Sequence, residues 1–160
     1  MMQEFIDGKY GKKLRIRVSG ILVEKEKILL IKHKGIGEAG HLWAPPGGGM
    51  EYGQKTVDNL VREFREETGL QIEVVNFMFI NEVLRPPLHA IELFYLVKRI
   101  GGELKLGSDP ESDAAHQILD SINFFSFTRL EKMNQIELHN LFAHCNSIPE
   151  LLKMNGYFNY

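Results

Sequence analysis

A long glycine-rich stretch, Gly35 to Gly53, runs without interruption into a segment of strict helical periodicity, Thr56 to Thr68. Few folds accommodate that junction. A loop this long inside a compact domain is usually functional or disordered, and Gly47-Gly48-Gly49 lets backbone approach a partner that any side chain would keep away. The spacing predicts a helix with Thr56 as N-cap and Gly69 as left-handed C-terminal cap. Val57, Leu60, Val61 and Phe64 recur at helical spacing and form its expected buried stripe. Outside that stripe lie Arg62, Glu63, Glu66 and Glu67. At about 100° per residue, Glu63 and Glu67 stand about 40° apart, and Glu66 about 60° from Glu63. Like charges so placed destabilise a bare helix by a few tenths of a kcal/mol per pair, roughly. A hard divalent cation reverses that cost, because Mg²⁺ and Mn²⁺ prefer carboxylate oxygens. Taken alone, the cluster reads first as a solvated acidic face.

Around this junction the chain alternates. Leu14 to Val23 reads as a strand with Ile16, Val18, Gly20 and Leu22 on one face and Arg15, Arg17 and Ser19 on the other. Ile28 to His33 follows across Glu24-Lys25-Glu26-Lys27 as a hairpin. Leu70 to Leu84 and Ala90 to Ile100 read as two long strands joined through Arg85-Pro86-Pro87, and Ile118 to Phe127 as a further strand. The residues from Leu130 onward are helical in character. This order gives a mixed α/β domain without the regular alternation of a doubly wound sheet. The 160 residues suit one domain, 1–160, with a real core.

Composition narrows the function classes. With Lys+Arg 19 against Asp+Glu 21, no global basic field exists to hold nucleic acid through phosphate contacts. The single cysteine, Cys145, excludes an intrachain disulfide and a cysteine zinc cluster. The apolar runs are far shorter than the ~20 residues that cross a bilayer. A cytoplasmic protein without membrane or nucleic-acid partners is the expectation.

The glycine loop and its helix resemble the signature of the Nudix hydrolases. That signature is Gly, five residues, Glu, seven residues, then Arg-Glu-hydrophobic-any-Glu-Glu-any-Gly-hydrophobic. Gly48, Arg62, Glu63, Phe64, Glu66, Glu67, Gly69 and Leu70 satisfy eight of its nine defined positions across 23 residues. The lead-in Trp43-Ala44-Pro45-Pro46-Gly47 is also similar. One position departs: Gln54 stands where the family usually has its first box glutamate, keeping size and hydrogen bonding but not charge.

The resemblance implies an α/β/α sandwich with a mixed sheet, a box loop and helix, and a C-terminal helical segment. It implies hydrolysis of a nucleoside diphosphate linked to a second group, by water attacking a phosphoanhydride with Mg²⁺ or Mn²⁺ bound. Glu63, Glu66 and Glu67 are the implied metal ligands, with a backbone carbonyl of Gly47 or Gly48; Glu66 is alternatively a water-positioning base. Arg62 would orient carboxylates. A catalytic acid outside the box is expected at Glu111, or else Asp109, which also fit a polar turn.

Arg17, His33 and Arg85 are candidate substrate-binding residues, with Lys32, Lys34 and His89 nearby; each has an ordinary surface or strand-end reading as well. Trp43, Phe79, Phe94 and Tyr95 read as core or as stacking partners for a base. His139 and His144 read as structural. A homodimer is a family-based expectation. Gln54 motivates an alternative in which the domain binds a nucleotide as a sensor or regulator with little turnover.

Overall fold

The computed structural model describes residues 2–108 and 117–159. The elements run α1 (Met2–Tyr10), β1 (Leu14–Glu24), β2 (Lys27–Lys34), β3 (His41–Ala44), β4 (Gly47–Gly49), α2 (Thr56–Thr68), β5 (Leu70–Arg85), β6 (Leu88–Gly102), β7 (Leu119–Phe125), α3 (Phe127–Leu130), α4 (Ile148–Lys153) and β8 (Gly156–Asn159). Two 3₁₀ turns, Gln135–Glu137 and Asn140–Ala143, join α3 to α4. Eight strands form one mixed sheet in the order β3-β2-β1-β6-β5-β8, with β4 also paired to β1 and β7 to β2. This is the mixed α/β architecture the sequence pattern predicts.

Strand β1 is the organising element. It runs parallel to β6 from Leu14↔His89 to Leu22↔Val97. Its other edge takes the short glycine strand β4 in antiparallel register, Arg17↔Gly49 to Ser19↔Gly47. Helix α2 covers one face of this sheet. Leu60 and Phe64 are fully buried against Val18, Leu22, Leu70, Ile72 and Val97. Each such side chain contributes roughly 1.5–3 kcal/mol of transfer free energy. The opposite face holds a larger core built on Ile21, Phe79, Phe94, Phe125 and Leu141. Trp43 packs edge-on to Phe125 at 4.7 Å, and Phe79 stacks on Phe94 at 4.6 Å, so Phe79 and Phe94 are core and Trp43 packs against it.

Four local expectations change. Lys55, not Thr56, occupies the N-cap; the Thr56 hydroxyl lies 2.8 Å from the Tyr95 hydroxyl instead. Val57 is exposed, because the first turn of α2 overhangs the sheet. Leu14 and Ile16 are also exposed, while their neighbours Arg15 and Arg17 line a cleft. The buried face of β1 therefore begins only at Val18. The C-terminal helical segment is broken into α3, two 3₁₀ turns and α4, each too short to show a full amphipathic period, and it ends in β8. Helix α1 had no sequence signal beyond Phe5, Ile6 and Tyr10.

Lys25 and Glu26 both adopt positive φ, 48° and 57°, in the two-residue turn between Glu24 and Lys27. This is a type I′ turn, which favours Asn-Gly because L side chains resist the left-handed region. Replacing Lys25-Glu26 by Asn-Gly should stabilise the fold by about 1 kcal/mol and raise Tm by about 3 °C in thermal melts. An unchanged or lower midpoint would show that the native turn carries no such cost.

Candidate active site

The glycine strand and the carboxylate helix meet through one buried hydrogen bond. The Gly47 amide donates to Glu67 Oε2 at 2.9 Å. Glu67 is nearly buried there. The next glycine makes the approach possible. A Cβ on Gly48 would strike the Glu63 carboxylate itself. Burial of Leu60 and Phe64 fixes the roll of α2, which turns Glu63, Glu66 and Glu67 toward a cavity of about 370 Å³ also bounded by Gly47, Gly48 and Arg62.

Arg62 gathers these groups. Its guanidinium donates to Glu66 Oε2 at 2.8 Å and to Glu63 Oε1 at 2.9 Å, and pairs with Glu51 Oε1 at 3.1 Å. Its Nε contacts Gln54 Oε1 at 3.4 Å, and the Gln54 amide donates to Glu51 Oε2 at 2.8 Å. Gln54 therefore keeps its place beside the box arginine, and Glu51 supplies the missing negative charge. Asn59 locks the loop: it accepts from the Glu51 amide at 3.0 Å and donates to the Gly49 carbonyl at 3.1 Å. Sequence reasoning missed Glu51 and Asn59. An acidic residue three positions before Gln54 was the available signal. Burial raises the Glu63 carboxyl above its ordinary range, against the pull of Arg62.

The donor set suits a hard divalent cation: three carboxylates on one helical face beside a glycine backbone that admits close approach. Among the described residues no three acidic, imidazole or thiol groups converge as a ready-made cage. Glu63 and Glu66 are turned to Arg62, so a cation would compete with that guanidinium for them.

A second cavity of about 330 Å³ continues from the first, with Tyr10, Arg15, Arg17, His33 and Ile36 lining both. Its far wall is largely apolar, with Leu42, Val83, Leu138 and Phe142. Arg17, His33 and Arg85 are thus brought to one connected cleft, Arg17 and His33 at its junction and Arg85 at the rim beside Glu38. His89 lines the same cavity and pairs with Glu82 at 2.8 Å, whereas Lys32 pairs with Asp120 at 3.6 Å away from the cleft. Ser108 lines the carboxylate cavity; Glu111 and Asp109, which follow it, lie outside the described residues.

A buried polar group that the sequence did not flag forms the floor. Glu92 lies 2.8 Å from His139 Nε2, accepts from the Asn81 amide at 2.9 Å, and faces Arg17 Nε at 3.8 Å. The Leu141 amide donates to His139 Nδ1 at 3.1 Å, so His139 is the structural residue expected, with Nε2 carrying the proton toward Glu92. Burial alone would raise the Glu92 pKa; His139, Arg17 and Asn81 outweigh it and hold the carboxylate at about 2. Burial, with Arg17 nearby, depresses the His33 imidazole to about 4.

Both shifts make the fold acid-sensitive. Unfolded His33 takes up its proton near 6.5 and folded His33 only near 4, so between those values the unfolded chain binds more protons and stability falls on acidification. Glu92 repeats this between 4.5 and about 2, its native form being the ionised one. Each stage is worth about 3 kcal/mol at most. Denaturant unfolding from pH 7.5 downward should lose stability in this window, and His33→Gln should flatten the part between 6.5 and 4. An unaltered slope in the variant would place the acid sensitivity elsewhere.

Comparison with known proteins agrees with this architecture. The family model for the NUDIX domain matches residues 13–145. The chain is 34% identical over 120 residues to an ADP-ribose pyrophosphatase of Methanocaldococcus jannaschii, a match spanning 74% of this chain and 65% of that protein. Among solved structures, a NUDIX hydrolase from Nitrosomonas europaea superposes with TM-score 0.70 at 17% identity, covering 89% of this chain and 93% of that one. An ADP-ribose pyrophosphatase from Streptococcus suis superposes with TM-score 0.59 at 22% identity, covering 90% and 98%. With the matched residues taking in the glycine strand, the carboxylate helix and both long strands, the chain belongs to the Nudix family.

Proposed function

We propose that the chain is a metal-dependent pyrophosphohydrolase that cleaves a nucleoside diphosphate linked to a second group. ADP-ribose is the first substrate to test, in view of the archaeal relative's name. The observation that carries the reading is the continuity of the two cavities, one acidic at the box helix, the other apolar, with Arg15 and Arg17 where they join. A diphosphate ester has that sequence of chemistries: charged phosphates next to an organic group.

Glu63, Glu66 and Glu67, with a carbonyl of Gly47 or Gly48, would hold Mg²⁺ or Mn²⁺. When bound, such a cation neutralises phosphate oxygens and lowers the pKa of water. The chain's own residues do the rest. Glu67 fixes the glycine strand through the Gly47 amide, which sets where a phosphate meets the helix. Arg62 bridges Glu63 and Glu66 and orients both. Glu66, on the same face of the helix, is the alternative water-positioning base. Arg17 and His33 meet the phosphates, with Arg17 held by the buried Glu92 and Arg85 at the mouth. Glu111 is the proposed acid outside the helix, on the strength of the family resemblance.

The pairing of Gln54 with Arg62 and Glu51 favours turnover over a purely regulatory role, since the arginine's charge remains compensated. Among the described residues no helix is long and apolar enough to cross a membrane. A small nucleotide as partner, a homodimer and a cytoplasmic location complete the proposal.

In a phosphate-release assay with ADP-ribose, nucleotide sugars and nucleoside triphosphates, Glu67→Gln should lower turnover at least ~10²-fold, about 3 kcal/mol of barrier. Mg²⁺ should also raise Tm of the native chain and raise it less in this variant. A fully active Glu67→Gln protein would overturn the metal assignment.

Glu51 and Gln54 provide an independent check. Glu51→Gln should cost about tenfold in turnover by leaving Arg62 to pull harder on Glu63 and Glu66. Adding Gln54→Glu should restore most of that loss, because it returns one carboxylate to the same guanidinium. Failure of the second change to rescue the first would mean that the two positions are not equivalent.

A further inference from the structure

Helix α1 lies before residue 13, where the family match begins, yet it builds part of the cleft. Tyr10 lines both cavities, and Ile6 lines the apolar one. The helix is seated rather than draped. Ile6 is fully buried in a cluster with Ile31, Ile118 and Leu119. Behind it, the Gly11 amide donates to Asp7 O at 2.8 Å and the Lys12 amide to Pro87 O at 2.7 Å, which ties α1 to the β5–β6 turn. The Tyr10 ring carries the Arg15 guanidinium, whose carbon stands 4.0 Å from the ring centroid.

We propose that Tyr10, at the end of the α1 wall of the cleft, is the positioning residue that holds Arg15 toward the substrate's phosphates. This rests on the hydrolase reading above. Arg15 lines the same cavity as Glu51, Glu63, Glu66 and Glu67, and the Tyr10 ring fixes the plane of its guanidinium there. Stacking on Tyr10 keeps it at the junction of the two cavities, where one guanidinium nitrogen lies 3.7 Å from the place a Gly49 Cβ would occupy. Arg15 is thereby pre-organised at the glycine strand, and less conformational freedom is lost when a diphosphate binds. The ring face makes this contact, so an aromatic side chain is what the position requires. A lysine in place of Arg15 keeps the charge and forfeits the planar stack.

The test uses the full chain with Tyr10→Leu, Tyr10→Phe, Arg15→Lys, Arg15→Met and the double variant Tyr10→Leu/Arg15→Met. Two readouts are taken: ADP binding by calorimetry with Mg²⁺, and steady-state hydrolysis of ADP-ribose. Tyr10→Leu and Arg15→Lys should each weaken ADP binding and raise KM about fivefold to tenfold, with kcat changed much less. Tyr10→Phe should recover most of the affinity lost in Tyr10→Leu. In the Arg15→Met background, Tyr10→Leu should have no further effect, because the guanidinium it positions is gone. Equal losses from Tyr10→Leu in both backgrounds would reduce Tyr10 to a packing role and overturn the proposal. So would a fall in kcat with KM unchanged, or an ADP affinity that none of the variants alters. If the native chain binds ADP with this pattern yet hydrolyses none of the substrates, the hydrolase reading fails and the Tyr10–Arg15 assignment stands. If it binds no ADP at millimolar concentration, the assignment itself falls.

Discussion

The contacts of Arg62 with Glu51, Glu63 and Glu66 set the geometry on which the site depends. Three carboxylates brought this close repel one another. At about 4 Å the repulsion of one pair is ~1 kcal/mol in water and ~4 kcal/mol at the effective dielectric of a protein surface. Partial burial of Glu63 puts the site between those limits and raises the carboxyl's pKa. One planar guanidinium, with five N–H donors in a fixed fork, serves all three carboxylate oxygens and Gln54 Oε1 at once, one partner more than the three donors of an ammonium could take. The glycine strand then closes against the helix because Glu67, the carboxylate that Arg62 is not holding, takes up the Gly47 amide.

The sheet converts this local electrostatics into a cleft. Strand β1 lies between β4 and β6, so its residues from Val18 onward are enclosed by helix α2 on one side and the aromatic core on the other. Before Val18 neither layer reaches, and the same strand exposes Leu14 and Ile16 while it directs Arg15 and Arg17 inward. A single strand thus contributes core at one end and cationic lining at the other. The buried Glu92, on the neighbouring β6, faces Arg17 from below.

Much of this was legible in the chain itself. The helix Thr56–Thr68, its glycine cap, the two long strands and the carboxylate face all follow from periodicity and from one recurrent spacing. The legible residues are those whose neighbours in space are neighbours in sequence. Glu51 was missed because its role depends on a turn that brings it beside Arg62. Glu92 looked like an ordinary outward residue of an alternating strand, and only the distant His139 and Asn81 make it a buried anion. Val57 falls in the expected buried stripe and Ile16 on the apolar face of its strand, yet both are exposed, because periodicity cannot tell where the opposing layer stops. Helix α1 and strand β8 are too short to carry a period, and tertiary contacts make them.

Strand β8 has a bearing on how such a chain is made. It pairs in parallel with the middle of β5, from Phe79↔Gly156 to Glu82↔Asn159, with the Tyr157 hydroxyl reaching Glu82. The partners lie 77 residues apart in the sequence. While the chain is being synthesised, β5 can find β6 almost at once, but the Phe79–Glu82 stretch of its other edge keeps its amides and carbonyls uncovered until β8 emerges. An uncovered edge is a template for another strand. During that interval the nascent protein is most open to pairing with a second nascent copy, and α4, by delivering β8 to the edge through its buried Leu151, ends the interval. Strand β8 therefore covers part of an open edge as well as extending the sheet.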